Sequence, residues 1–394
     1  MDKISGLPDD LLLKILSFLP TEIAVSTSIL SKRWEFLWMW LPRLEFISPK
    51  PELRDFIDKK LPLLRAPVLE RLRLHITFNT QIKPKDIKRW IEIAVSSYVR
   101  ELEISYALGN ENILPSSLFT CKSLLTLKLK WVALIDVPSM VYLPSLKTLE
   151  LETMSVVDGK SLQQILSNCP VLEDLSVNFY EYDKTKEFSI SIPSLQSLSL
   201  FFRKHYSLIK NMPKLKEAYV DVVSLNPKSV IGSITSVKRL TICSFEEVYG
   251  DGCVFKELEH LNLCVCKLDS WNLLVQLLKG SPNLRVLDIF VKKDHGDDKR
   301  SGIVCWDKPS SVPECLLSSL QIFNWSGYLG RPQARDIAVY ILKNACHLKK
   351  ATILADTREY FVTKLQMIKE LTLCPRASST CQLVFPDDLD HVET

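Results

Sequence analysis

The chain has 394 residues, 46% hydrophobic and 24% charged, which is typical of a folded protein with a large core. Lys and Arg total 50 against 46 Asp and Glu, and this balance argues against nucleic acid as the main partner. Only 11 glycines are present, which argues against glycine-rich phosphate-binding loops as a recurring feature. No apolar signal core opens the chain and no apolar run reaches transmembrane length, so we expect no membrane association.

Eleven cysteines are scattered along the chain. Several stand in apolar contexts, such as Cys243, Cys264, Cys266 and Cys346, where a free thiol behaves as a small hydrophobe. Without a secretory signal, this usage predicts reduced thiols and a cytoplasmic and/or nuclear location.

Residues 4–40 predict three short helices. Pro8 suits a first helical turn, apolar residues follow at helical spacing as far as Pro20, and Thr21 and Ser31 can cap two more helices. So small a block cannot cover its own apolar surface, which predicts docking onto another protein. The alternative is that the block only caps the open end of the fold that follows.

The block resembles an F-box, through its Leu7-Pro8 opening and the segment Leu30-Ser31-Lys32-Arg33-Trp34. The resemblance implies binding to a Skp-type adaptor and, through it, to a cullin-based SCF ubiquitin ligase. Together with the apolar excess, it gives a predicted set of adaptor-binding residues: Leu7, Pro8, Leu12, Ile15, Leu16, Leu30 and Trp34. Glu22-Ile23 departs from the family, whose members commonly have Lys followed by Asp or Glu, and alters the charge at the turn into the second helix.

A leucine pattern then recurs twelve times as apolar, two residues, apolar, one residue, apolar. The units begin at Leu69, Val99, Leu124, Leu146, Leu172, Leu195, Leu215, Val237, Leu258, Leu284, Leu320 and Leu348. From the second to the tenth unit the spacing is 20 to 26 residues, the period of leucine-rich repeats. The last two apolar positions lie two apart, so they share one face of a short strand.

These repeats predict an α/β fold, in which an irregular leucine-rich-repeat solenoid with a curved, mainly parallel sheet follows the three-helix F-box. The stretch before the second unit, Pro84–Tyr98, reads as one amphipathic helix. We expect the middle leucines of the units to be buried: Leu127, Leu149, Leu175, Leu198, Leu240, Leu261 and Leu287.

After Val291 the rhythm breaks, and Trp306, Trp325, Tyr328 and a closing strand over 381–385 follow. This region is similar to the FBD domain of plant F-box proteins. We therefore predict an F-box over 1–45, a connector and solenoid entry over 46–98, repeats over 99–300, an FBD-like region over 301–386 and a tail over 387–394.

Catalytic and metal-binding patterns are not evident. The six histidines lack helical ligand spacing, and Cys264-Val265-Cys266 has no second pair, so neither a metal nor another cofactor is predicted. Asp297-Asp298 lies in a charged loop, where a solvated surface is expected rather than catalysis. The sequence thus favours a non-catalytic subunit.

Two classes of function remain open, together with a fallback. The favoured one is the substrate-recognition subunit of an SCF-type ligase, whose repeat surface recruits a target protein. The alternatives are a receptor for a small, hormone-like ligand on the same scaffold, and a protein-interaction scaffold outside any ligase.

Overall fold

A computed structural model describes residues 4, 6–48, 50, 52–77, 81–107, 111–134, 136–153, 159–179, 188–202, 207–209, 212–222, 231–244, 253–265, 270–292, 306, 308–356 and 363–386. The predictions for Cys266 and for Asp297-Asp298 fall outside these residues. The chain forms two compact units, Met1–Leu195 and Gln196–Thr394, called unit 1 and unit 2 below.

Unit 1 opens with the N-terminal block, residues 4–40. Its α-helices are α1 (Asp9–Leu16) and α2 (Thr21–Ser26), with 3-10 helices at Thr27–Ile29 and Leu37–Trp40. Pro8 and Pro20 occupy the N-cap positions of α1 and α2, where the missing N–H costs no hydrogen bond. The third predicted helix differs, because turns rather than an α-helix lead from Ser31 to Leu37. This stretch is rich in aromatic residues, which have modest helix propensity.

Strands and helices alternate through the rest of unit 1. Its strands are β1 (Arg43–Ile47), β2 (Arg71–Ile76), β3 (Glu101–Tyr106), β4 (Thr126–Lys130), β5 (Thr148–Thr153), β6 (Asp174–Phe179) and β7 (Phe188–Ile190). Its other helices are α3 (Leu53–Lys60), α4 (Pro84–Ser96) and α5 (Gly159–Ser167), with 3-10 helices at Leu61–Leu63 and Ser116–Thr120. Strands β1 to β6 pair in chain order, so Leu72, Leu102 and Leu127 stand side by side.

Unit 2 repeats the same plan. Its strands are β8 (Ser197–Phe202), β9 (Ser207–Ile209), β10 (Glu217–Val222), β11 (Arg239–Ser244), β12 (His260–Cys264), β13 (Val286–Phe290), β14 (Ile322–Tyr328), β15 (Lys350–Ala355) and β16 (Gln382–Val384). Its helices are α6 (Ser270–Gly280), α7 (Glu314–Ser318), α8 (Pro332–Asn344) and α9 (Lys364–Thr372). Strands β8 and β10 to β16 form one parallel series.

The predicted repeat register is confirmed. Each of the twelve units supplies one parallel strand, and all seven middle leucines named above are at most 3% exposed. The period of two explains this result, because alternate strand residues point into the core and the others away from it. Sequence reasoning missed β1, which falls partly in the stretch predicted as a connector and pairs in parallel with β2.

The predicted connector also carries a fixed helix, α3. Arg54 on α3 donates from Nε to Asp86 Oδ2 on α4 at 2.8 Å, and the backbone N–H of Lys83 donates to the same oxygen at 3.0 Å. Burial alone would raise the pKa of Asp86, but these hydrogen bonds hold the pKa below its ordinary value. Trp90 Nε1 on α4 donates to Asp58 on α3 at 2.7 Å. Helix α3 is therefore tied to the first repeat.

In the FBD-like region, two of the residues that carried the resemblance, Trp325 and Tyr328, pack together in the core. Trp325 is 2% exposed, and its ring lies 5.1 Å from that of Tyr328 and 5.7 Å from that of Trp271. Gly327 lies between Trp325 and Tyr328 in sequence and has a φ of 76°. The pairing of β14 with β15 shifts register at this point. A side chain is strained at that φ, so glycine suits the irregularity.

Candidate docking surfaces

The N-terminal block exposes an unusual share of apolar surface. In the described part of the chain, 21 large hydrophobic side chains are exposed, and ten of them lie in residues 4–40. This exposed apolar set comprises Ile4, Leu11, Ile15, Phe18, Leu19, Ile23, Ile29, Leu30, Phe36 and Trp40. Such a density of exposed apolar side chains marks an interaction site rather than an ordinary surface.

Helix α1 shows how the set arises. Leu12 and Leu16 are fully buried, whereas Leu11 and Ile15 are exposed by 44% and 41%. Because residues four apart share a helix face, the two pairs form two apolar stripes. One stripe holds the block together, and the other faces outward.

The seven predicted adaptor-binding residues divide accordingly. Pro8, Ile15 and Leu30 are exposed and Leu7 is half-buried, so these four are accessible to a partner. Leu12, Leu16 and Trp34 are buried inside the chain, and we revise their role from contacting a partner to supporting the surface. Leu11 of the outward stripe was missed because Leu12, Ile15 and Leu16 were assigned to a single face. The i, i+4 spacing of Leu11 and Ile15 beside that of Leu12 and Leu16 is the signal that could have separated them.

Ile29 and Phe18 were also missed, although they are the most exposed members of the set, at 87% and 78%. Ile29 ends the 3-10 helix that follows α2, and Phe18 follows the end of α1. Neither lies inside a regular α-helix, so helical periodicity gives no signal for them.

Glu22 is the first of the two residues that depart from the family pattern, and it forms an ion pair within the chain. Its carboxylate pairs with Lys50 Nζ, beyond the end of β1. Ile23 beside it is 50% exposed and joins the apolar set. The departure thus replaces a polar position with an apolar one, while the carboxylate of Glu22 is directed at the chain's own lysine.

The block is bound closely to the first strands. Thr21 Oγ1 accepts a hydrogen bond from the backbone N–H of Glu45 at 2.8 Å. The carbonyl of Met39 accepts from the N–H of Arg65 at 2.8 Å, and that of Pro42 accepts from the N–H of Arg71 at 3.1 Å. The exposed apolar set therefore belongs to the same compact unit as the first repeats.

The outward strand face of unit 1 is charged and internally paired. Glu103 accepts from Arg73 Nε at 2.9 Å and from Arg71 Nη2 at 3.1 Å, while Arg73 Nη1 donates to Glu45 at 2.7 Å. Burial acts to raise the pKa of Glu103, but the two guanidinium groups bring it below its ordinary value.

The same pattern continues on the next strands. Lys128 Nζ lies 2.6 Å from Glu150, and Lys130 Nζ lies 3.5 Å from Glu150 and 3.7 Å from Glu152. Each of these charges thus already has an opposite charge close by on a neighbouring strand.

Amide side chains donate hydrogen bonds on the outward face of unit 2. Asn262 Nδ2 donates to Thr241 Oγ1 at 3.1 Å, and Asn324 Nδ2 donates to Asp288 Oδ1 at 2.7 Å. His260 Nε2 lies 2.6 Å from the second oxygen of Asp288.

One cluster on unit 2 centres on Lys292, just after β13. Its Nζ donates to Asp221 at 3.0 Å and to the Tyr219 hydroxyl at 3.1 Å, and lies 4.4 Å from the ring centre of Phe201. The Asp221 side chain is 2% exposed, so this ammonium compensates a buried carboxylate. Burial lowers the pKa of Lys292, but these two hydrogen bonds more than offset it and raise the pKa above its ordinary value.

The described residues contain neither a cluster of metal ligands nor a membrane-spanning helix. No group of three or more His, Cys, Asp or Glu side chains within them could hold a metal ion. None of the described helices has the length and hydropathy needed to cross a membrane. Burial raises the pKa of the Cys169 and Cys315 thiols to about 12, so these thiols are poor nucleophiles.

Comparison with known proteins places these surfaces in a domain order. The F-box domain profile matches residues 4–46, which contain the exposed apolar set. The profile described as FBD-associated F-box protein At5g56370, LRR repeats, matches residues 87–230, and the FBD profile matches residues 308–353. The three together define an F-box protein with leucine-rich repeats and an FBD domain.

Full-length relatives agree with this domain order. FBD-associated F-box protein At5g38590 of Arabidopsis thaliana is 62% identical, covering 94% of this chain and 98% of its own length. FBD-associated F-box protein At4g10400 of the same plant is 53% identical, covering 98% of this chain and all of its own length. The chain belongs to the FBD-associated F-box proteins.

Proposed function

We propose that this chain is the substrate-recognition subunit of an SCF-type ubiquitin ligase. In this proposal the N-terminal block docks to a Skp-type adaptor, and thereby to a cullin, while the repeats hold a target protein. The observation that carries it is the exposed apolar set inside the matched F-box region. Side chains such as Ile29 and Leu30 are costly to leave in water, and burial against a partner would stabilise them.

In this role the chain supplies proximity rather than chemistry. Holding a target beside the ligase raises the target's effective concentration at the site of ubiquitin transfer. We therefore place no catalytic residue, metal or cofactor in the chain.

The test compares two exposed leucines at opposite ends of the chain. Leu30 is 64% exposed in the block, and Leu365 is 77% exposed on α9. Leu30→Ala should weaken binding to a recombinant Skp1-type adaptor by roughly thirtyfold, the effect of losing an interface anchor. Leu365→Ala, the matched control, should bind normally, and both variants should keep the wild-type melting temperature. Titration calorimetry and thermal unfolding supply the two measurements.

A second pair of substitutions probes the opening of α1. Leu7→Ala combined with Pro8→Ala should also lose the adaptor without disturbing the repeats, because each repeat contacts mainly its neighbours. If this double variant and Leu30→Ala both bound the adaptor with wild-type affinity, the docking surface would lie elsewhere. If the wild-type chain bound no Skp adaptor, the ligase proposal would fail and the scaffold alternative would replace it.

A further inference from the structure

Arg33 joins the two segments that carried the F-box resemblance. Its Nη2 donates to the backbone carbonyl of Leu7, and its Nε and Nη2 lie 3.0 and 2.6 Å from Asp9 Oδ1. One side chain thus holds both the residue before Pro8 and the first residue of α1. The segments it joins are 24 to 26 residues apart in sequence.

The Leu7 carbonyl precedes the N-cap residue of α1 and lies outside the hydrogen-bonded turns of the helix, so a side chain can hold it. Leu7 precedes α1 and is half-buried, and Pro8 is exposed. A planar guanidinium can reach a carbonyl and a carboxylate together, whereas a lysine ammonium on its flexible stem is a single point of contact.

We propose that Arg33 is a positioning residue for the adaptor-docking surface, which fixes Leu7 and Pro8 in the conformation that a partner meets. This inference rests on the proposed function. A segment that is already ordered loses less entropy on binding, so the contacts of Arg33 strengthen the complex without Arg33 touching the partner.

The exposure of the pair separates this role from a general stabilising role. The side chains of Arg33 and Asp9 are 36% and 64% exposed. Ion pairs as exposed as this add little to global stability, because water screens them and two side chains are ordered. We therefore expect a local effect on the opening and on adaptor affinity, with the melting temperature unchanged.

The experiment uses the full chain and a recombinant Skp1-type adaptor. Arg33→Ala should weaken adaptor binding by about fivefold to tenfold, since two charge-assisted contacts that order the opening are lost. Arg33→Lys should recover only part of that loss. Lys32→Ala, which removes a neighbouring exposed cation, is the matched control and should bind like the wild type. Thermal unfolding of all variants should coincide.

Two further measurements test positioning directly. Hydrogen exchange of the free chain should show faster exchange at the Leu7 amide in Arg33→Ala than in the wild type or in Lys32→Ala. Asp9→Ala should weaken binding by less than Arg33→Ala, and the double variant should be no weaker than Arg33→Ala alone. That lack of additivity is expected when two residues act through one contact.

Three results would overturn the inference. These are wild-type affinity in Arg33→Ala, unchanged exchange at Leu7, or additive losses in the double variant, which would mean that Arg33 contacts the adaptor itself. If instead the wild-type chain failed to bind the adaptor, the proposed function would fall and this inference with it. If the wild-type chain bound the adaptor and Arg33→Ala bound it with the same affinity, this inference alone would fail.

Discussion

Units 1 and 2 bury the same kind of core beneath different outward faces. On unit 1, Arg71 and Arg73 pair with Glu103 across strands, so the face carries a network of cross-strand ion pairs. On unit 2, an ion pair between Arg239 and Glu217 stands beside side-chain hydrogen bonds of Thr241, Asn262 and Asn324, and Lys292 compensates the buried Asp221.

The difference shows which part of a repeat the fold constrains. Leu149 and Leu198 occupy equivalent inward positions and are both 1% exposed, because stacking requires an apolar side chain there. The residues on either side of them point outward, where any hydrophilic side chain satisfies the strand. Outward faces can therefore diverge between repeats while the core stays alike.

The largest expected effect lies in the shared core. Leu149→Ala in unit 1 and Leu198→Ala in unit 2 should each lower the free energy of unfolding by about 2–5 kcal/mol, as large-to-small core changes do. Urea denaturation followed by circular dichroism would measure both. A loss below about 0.5 kcal/mol at either position would show that the two cores are not equivalent.

A smaller effect should separate the two faces. Lys292→Met keeps most of the side-chain length but removes the ammonium that pairs with the buried Asp221 carboxylate, so unfolding should become easier by about 1–3 kcal/mol. The same denaturation experiment measures this. Lys350→Met, at an exposed outward position on β15, is the control and should change stability by less than about 0.5 kcal/mol. Equal effects at the two lysines would contradict a special role for the Lys292 cluster.

The smallest effect should come from the charged face of unit 1. Glu103→Gln should cost about 0.5–1.5 kcal/mol at pH 7, because the pairs with Arg71 and Arg73 are partly screened by water. Glu101→Gln is the control, since Glu101 lies 3.8 Å from Arg71 and is 49% exposed. We expect no measurable change for it.

The pH dependence sharpens this third prediction. The pKa of Glu103 in the folded chain lies below its ordinary value of 4.5, so its stabilisation is present above that pH. The stabilisation is lost as the pH falls through the lower, folded pKa. The stability difference between the wild type and Glu103→Gln should therefore shrink with acidification below about pH 4.5. A constant difference between pH 7 and pH 3 would mean that ionisation of Glu103 does not matter.

Most of the fold could be predicted from the sequence because the repeat core has a simple signature. A leucine two residues from its neighbour marks a strand face, and twelve repetitions of the pattern leave little freedom of register. Strand β1 was missed although Leu41, Leu44 and Phe46 have the same apolar spacing, because this stretch was assigned to the F-box and the connector. The turns after Ser31 were read as a helix because Trp34, Leu37 and Trp38 recur at helical spacing.

The candidate docking surface was harder to predict than the fold. An apolar residue in a short helix can face either inward or outward, and composition does not distinguish Leu12 from Leu11. Only the packing of the folded chain determines which residues face inward, and it buries Leu12 and Trp34. The contact of Arg33 with Leu7 and Asp9 joins two distant segments, and no pattern within either segment encodes it.

Strand β1 determines how this protein can be dismantled and recombined. It starts three residues after Trp40, and residue 45, the predicted end of the F-box, lies in its middle. A chimera joined at that residue would sever the strand and discard the partners of Thr21 and Met39. A graft that retained them would have to extend through β2, ending at Ile76. The N-terminal block and the first repeat would therefore have to be transplanted together, and exchange between relatives would carry both.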